Sequence, residues 1–191
     1  MGKYLVCITG ASGSVYGIRT MQALIASGHE IHGIISEWGT KVMEQETGKS
    51  LASWIPELQI TKKNMYNPDD LGAPPASGSF RPDGTIIVPC SMNSVGAIAT
   101  GLCLNLIHRS AQVALKEGRP LLLVPRETPM SLPNLRNLCS LAEAGAAILP
   151  ACPAFYHRPQ SMDDLINFVV GKIFDRLSIA HNFYQLWEGL E

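Results

Sequence analysis

The sequence predicts an α/β protein built on an open, doubly wound parallel sheet, in a single domain covering residues 1–191. Three observations lead there. Short β-rich runs alternate with segments of helical periodicity along the chain. Glycine-marked turns separate them. The length of 191 residues, 46% of them hydrophobic, is one domain's worth of chain, enough to bury roughly 70% of the surface an unfolded chain of this size exposes.

The elements follow in order. Tyr4–Thr9 (YLVCIT) is a strand, broken by Gly10-Ala11-Ser12-Gly13. Apolar positions at helical spacing over Val15–Ser27 predict a helix that stops at Gly28. Glu30–Ile35 reads as a strand and Trp38–Thr47 as a helix ending at Gly48. Lys49–Asp83 is different: it holds Pro56, Pro68, Pro74, Pro75 and Pro82 with Gly72 and Gly78, and at most one short strand near Gln59–Tyr66. A loop of that length inside a compact domain points to function, because the alternation resumes directly after it. Thr85–Val88 is a strand, Ser94–Thr100 and Leu106–Glu117 are helices, and Pro120–Val124 is a strand. Leu132–Glu143 is a helix, Ala146–Leu149 a strand and Met162–Leu177 a closing helix. The tail Ala180–Glu191 carries His181, Phe183, Tyr184 and Trp187. No repeat, linker or second domain is visible.

Composition removes several classes of function. Lys and Arg total 15 against 16 Asp and Glu, a formal charge of −1, which offers no general attraction to nucleic acid or to an anionic membrane. Apolar runs such as Leu121–Pro125 and Ala144–Pro150 fall far short of the ~20 residues a membrane span needs. The start MGKYLVCITG is broken by glycine too early for a signal peptide. Five cysteines, an odd number without a CxxC, read as buried, reduced thiols in a cytoplasmic protein. The scattered histidines have no zinc-ligand spacing, so no metal site is expected. Low charge leaves room for large apolar subunit contacts.

Doubly wound sheets bind ligands where the carboxyl ends of strands meet helix N-termini. The informative loops are therefore Gly10–Gly13, Ser36–Trp38, Cys90–Ser94, Arg126–Pro129 and Cys152–Tyr156. Gly10-Ala11-Ser12-Gly13 lets a ligand approach the backbone at a helix start that favours an anion. It is neither GxGxxG nor a P-loop, and a tight βα turn without a ligand fits it equally well. Ser91, Asn93 and Ser94 offer two hydroxyls and an amide, or else simply cap a helix. Arg126-Glu127-Thr128-Pro129 places a cation and a carboxylate at the end of a buried strand. Either the two pair at the rim, or Arg126 meets an anionic ligand while Glu127 handles a proton. Tyr156 is core, or its hydroxyl binds an oxyanion. Lys116, Arg109 and Lys172 sit in helices, where basic side chains are ordinarily solvated.

Together the loops resemble the flavin prenyltransferase family, the UbiX/Pad-like flavoproteins. The matching stretches are GASGSVYG at 10–17, APPASGSF at 73–80 and IIVPCSM at 86–92, with RSAQVALKEGRPLLLVPRETP at 109–129 and PACPAFYHRP at 150–159. They span nearly the whole chain, Lys3 to Trp187.

The resemblance implies a flavodoxin-like, Rossmann-like sheet that binds FMN. It also implies transfer of a dimethylallyl group from dimethylallyl phosphate to N5 and C6 of reduced FMN, making the prenylated cofactor of a UbiD-like decarboxylase. Carried over residue by residue, the flavin contacts are Gly10, Ala11, Ser12, Ser36, Ser91, Met92, Asn93, Ser94 and Arg126. Lys116, Tyr156 and Lys172 hold the prenyl phosphate, with Arg109 contributed across a subunit interface. Glu46 and Glu127 match active-site carboxylates, and Ser12 joins them as a catalytic candidate. The family's homo-oligomers are commonly dodecamers.

The chain departs from the family at Lys172, where many members carry Arg, and at Leu71, where some carry Trp. Arg109-Ser110-Ala111 replaces the commoner Arg-Ala-Ala. The pairs Asp69-Asp70 and Asp163-Asp164 lie outside the strand-end loops and form no DDxxD, so fixed charges are expected to neutralise the leaving phosphate. Ring closure at C6 releases a proton, to Glu127 or to the released phosphate. Two other readings compete: a flavin-dependent cysteine decarboxylase and a non-catalytic FMN-binding subunit of a decarboxylase. The first relies on a histidine after the second helix, whereas His29 and His32 fall at or inside the second strand.

Overall fold

The computed structural model describes residues 1–187 and 189. Its strands are β1 (Lys3–Ile8), β2 (Glu30–Ile35), β3 (Met65–Tyr66), β4 (Gly84–Cys90), β5 (Leu121–Pro125) and β6 (Ala147–Ile148). The helices are α1 (Ser14–Ala26), α2 (Glu37–Thr47), α3 (Leu51–Glu57), α4 (Met92–Ala99), α5 (Leu106–Lys116), α6 (Leu132–Glu143) and α7 (Met162–Arg176). All strand pairs are parallel, in the order β3-β2-β1-β4-β5-β6.

Parallel strands buried on both faces read as unbroken apolar runs, and β4 and β5 are buried at every residue. Successive side chains of a strand point to opposite faces. Accordingly Tyr4, Val6 and Ile8 of β1 join Met21, Leu24, Val170 and Phe174 of α1 and α7 on one face. Leu5 and Cys7 join Ile98, Ile107, Ala111 and Leu141 of α4, α5 and α6 on the other. The chain winds outward from β1 to β3 and then returns to β4, so winding reverses between β1 and β4. The carboxyl ends of those two strands form the switch point, where such sheets take ligands.

Four sequence expectations need correction. Lys49–Asp83 is not an irregular loop. Ser50 caps α3 through Ser53 N, 3₁₀ turns follow, and Ala73 and Pro75 are buried. Pro56 obscured α3; it lies in the last turn of that helix, which ends at Glu57 one residue later. The strand expected near Gln59–Tyr66 contracts to the two residues of β3, paired with Gly33 and Ile34. Helix α4 starts at Met92 rather than Ser94, because Ser91 is its cap. Finally, only Cys7 and Cys90 are buried. Cys103, Cys139 and Cys152 are exposed, since they fall in a loop, on the outer side of α6 and after β6, and all five are free. Burial pushes the Cys90 thiol up to about 12, so it is inert as a nucleophile. Among the described residues no helix is long and apolar enough to cross a membrane.

Candidate active site at the switch point

Three helix N-termini converge where β1, β2 and β4 end. Gly10 lies where a Cβ would stand 2.6 Å from the Cβ of Trp38, so only glycine lets the β1 and β2 loops meet. Gly13 adopts φ 103°, a left-handed conformation costly for other residues. The first turn of α1 is filled by a carboxylate of the same chain. Glu46 of α2 accepts hydrogen bonds from Gly13 N (2.9 Å), Ser14 N (2.9 Å) and Ser14 Oγ (2.6 Å). Burial pushes that carboxyl up, but these donors and the Ser12 hydroxyl together outweigh it and leave it below the usual carboxylate range. Glu46 therefore serves as the anion at the α1 N-terminus.

The other loops are equally tied. Ser36 Oγ accepts from Gly39 N at 3.0 Å and caps α2. Ser91 N donates to Thr9 Oγ1 at 2.7 Å, and Thr9 Oγ1 donates to Pro89 O at 2.8 Å. Ser91 Oγ accepts from Ser94 N at 3.3 Å. Met92 is half-buried and Asn93 exposed, whereas Ser94 and Ala11 are buried. Arg126 Nε donates to Ser12 O at 2.9 Å, pinning the β1 loop from the end of β5. Among the described residues the Nη atoms of Arg126 have no protein acceptor. Glu127 accepts from Thr128 N at 3.2 Å and forms no ion pair with Arg126, so the rim pair that the sequence left open is not what the structure contains. The site fits a flavin phosphate ester: small loops, helix starts, hydroxyls and an arginine fork meet at one place.

The cations assigned to the prenyl phosphate are dispersed. On α7, Lys172 Nζ donates to Tyr184 Oη (2.6 Å) and Asp175 Oδ2 (3.2 Å). The hydrogen bond to Tyr184, first, and then the one to Asp175 raise its pKa against burial. Asp175 also holds Tyr184 and His181, and Gly171 makes room for the tail, since a Cβ there would stand 2.5 Å from Tyr184 Cε1. Tyr156 packs edge-on against Phe168 and Trp187, and Lys172 lies 5.4 Å from the same Phe168 ring. His157 stacks on that ring too, with both ring nitrogens buried and unpartnered among the described residues. Buried polar groups are normally hydrogen-bonded to protein or to ordered water.

Arg109 and Lys116 lie on α5, across the sheet from α7. Arg109 does not project freely from α5: its Nε donates to Ala76 O at 3.0 Å, because the 74–76 turn packs on the helix. Lys116 Nζ pairs with Glu117 at 2.7 Å, at the end of α5 just before β5 begins and hence at the amino edge of the sheet. Tyr156 and Lys172 are thus brought together, and Arg109 and Lys116 are not brought to them. A cleft of about 670 Å³ between β6 and α7 is lined by Lys172, Asp175, Phe168 and Cys152 and by none of the switch-point loops. The residues sequence reasoning missed are Thr9, His108, Asp175 and Tyr184. A histidine beside Leu106 and Ile107 on an apolar helix face was the one visible signal.

This geometry defines a class, an α/β protein that receives a phosphorylated flavin or nucleotide at helix N-termini on a parallel-sheet switch point. A family model described as Flavoprotein matches residues 2–174. The flavin prenyltransferase UbiX of Pseudomonas aeruginosa is 43% identical over 195 residues, covering 97% of this chain and 93% of its own. The chain belongs to the UbiX-like flavin prenyltransferases. It is similar in structure to AnUbiX, solved in complex with FMN and dimethylallyl pyrophosphate (TM-score 0.94, 39% identity, 100% and 99% of the two chains). It also resembles a dodecameric FMN-dependent Ubix-like decarboxylase from Escherichia coli O157:H7 (TM-score 0.91, 38% identity, 98% and 100% coverage).

Proposed function

We propose that the chain joins the dimethylallyl group of dimethylallyl phosphate to reduced FMN, working as a homo-oligomer, a dodecamer. The product goes to a UbiD-like decarboxylase, and the enzyme works in the cytoplasm. The observation that carries this reading is the convergence of the α2 and α4 starts, the Ser36 and Ser91 hydroxyls and Arg126 at one switch point, beside an α1 start already occupied by Glu46.

Reduced FMN, when bound, supplies the electron-rich N5 and the C6 that take up the allyl group. The chain does the rest. Gly10, Ala11, Ser12, Ser36, Ser91, Met92, Asn93, Ser94 and Arg126 hold the flavin. An allylic monophosphate leaves only when its charge is neutralised, and Tyr156 and Lys172 of one chain supply a hydroxyl and a cation around Phe168. Arg109 and Lys116 reach the phosphate from a neighbouring subunit, because the sheet stands between them and α7 in their own chain. Glu127, which has no ion pair among the described residues, carries a proton at ring closure. Glu46 stays ionised at the start of α1 and keeps Ser12 and Gly13 in place. Leu71 is half exposed and presents no aromatic face. Incubating the protein with reduced FMN and dimethylallyl phosphate tests the reading. The flavin should change its absorbance and gain one prenyl unit in mass; an unaltered flavin would reject it.

A further inference from the structure

His108 lies inside the protein, 4% exposed, on the core side of α5. The cap residue Asn105 accepts from its backbone N–H at 3.0 Å. Its ring bridges two elements. Nδ1 accepts the N–H of Leu104 at 3.3 Å, which places the proton of the neutral ring on Nε2, and Nε2 meets Ser94 Oγ at 3.2 Å. Burial holds the pKa of His108 below its ordinary value, so the ring is neutral around pH 7.

Ser94 Oγ also accepts the hydroxyl proton of Ser91 at 3.2 Å, while Ser91 Oγ accepts Ser94 N–H. Thr9 holds Ser91 from the backbone side. A hydroxyl has one proton and two lone pairs. The proton of Ser91 is committed inward, one lone pair is taken by Ser94 N, and the remaining lone pair is what Ser91 offers outward.

We propose that His108 is a positioning residue for the flavin-binding loop 91–94: by fixing Ser94 Oγ as an acceptor, it turns Ser91 so that it presents an acceptor to an N–H of the bound flavin. The inference rests on the reading that Ser91 touches FMN. Without the His108 donor, Ser94 Oγ can rotate and the Ser91 proton is released to point outward, against a flavin donor. His108 acts only through Ser94 and Ser91.

The test is FMN affinity of the apoprotein, read by quenching of flavin fluorescence, in H108L, H108Q, S94A, S91A and the H108L/S94A double variant, with thermal unfolding recorded for each. Loss of one buried hydrogen bond should weaken FMN binding roughly 3- to 10-fold in H108L and in S94A. The double variant should be no weaker than either single one. H108Q, whose amide nitrogen reaches the place of Nε2, should recover most of the affinity. A purely structural histidine would instead give additive losses and no rescue by glutamine. If H108L does not fold, S94A and H108Q carry the test alone. Normal FMN affinity in H108L with weakened S91A overturns the proposal and spares the site. Normal affinity in S91A overturns both.

Discussion

The switch-point loops and the α5 and α7 cations differ in how far one chain completes them. Around the proposed flavin side, Thr9, Glu46, Ser36 and Arg126 tie the loops after β1, β2 and β4 with hydrogen bonds inside the chain. Around the proposed phosphate side, Lys116 is paired with Glu117 and Lys172 with Asp175, and the sheet separates the two. One half of the site is organised before any ligand arrives. The other is assembled from charges that are resting on carboxylates. Half-exposed ion pairs of this sort are worth only about 0–1 kcal/mol, so a phosphate dianion can take over either lysine at little cost. Under the proposed function, that places rigidity where a planar ring is to be oriented, and readily exchanged charge where a leaving group is to be received and released.

The sharpest way to break that contrast is to separate the subunits. Surface charges introduced to hold the protein monomeric should abolish prenyl transfer, because Arg109 and Lys116 would no longer meet Tyr156 and Lys172. A stable monomer, verified by sedimentation, that retains turnover would show that one chain suffices. Next in size is Glu127→Gln, expected to slow a proton-dependent step about 10²–10⁴-fold with flavin still bound and an intermediate accumulating in single-turnover absorbance. Since Glu127 is not paired with Arg126, its unfolding temperature should be unchanged. Loss of flavin instead would move Glu127 to the binding half. Lys116→Ala and Tyr156→Phe should each cost roughly 1.5–3 kcal/mol in use of the prenyl phosphate and leave FMN affinity alone. Equal losses for both ligands, in paired titrations, would erase the division between the halves.

The smallest effect concerns acid. Glu46 has its folded pKa below the unfolded value of about 4.5, so its contribution is present above that value and is lost as pH falls through the folded pKa. After screening at this exposed carboxylate, the contribution is about 0.3–1 kcal/mol. Urea midpoints of wild type and Glu46→Gln should therefore differ at pH 7 and converge near pH 3. A constant gap would mean the contact is not electrostatic.

The alternation of β-runs and helical periods was readable because β1, β2, β4 and β5 are buried on both faces and the helices carry one apolar side each. The loops after those strands were readable as well, since a strand end followed by a helix start needs small or capping residues. What local pattern could not reveal was decided at long range. Glu46 looks like any exposed glutamate of α2 until the fold brings it to Gly13. Nothing near Ser94 in the sequence shows that its hydroxyl meets His108, a residue of the next helix. Lys172 reads as a free cation, but the tail returns Tyr184 to it. Nothing in the Pro- and Gly-rich composition of 49–83 announces α3, whose cap is a single serine. Cys103, Cys139 and Cys152 looked buried because their neighbours are apolar, yet Leu102 and Leu104 are exposed with Cys103, and Leu138 turns to the core while Cys139 beside it does not.

The sheet ends at both sides in strands of two residues, β3 and β6. A long bare edge invites another chain to add a strand, and this is a common start of aggregation. Here Lys62 and Lys63 stand just before one edge, and Pro150, which has no amide hydrogen to donate, follows the other. Concentrated protein should therefore resist fibre formation through its sheet, and contacts between copies fall to side chains rather than to a continued ladder.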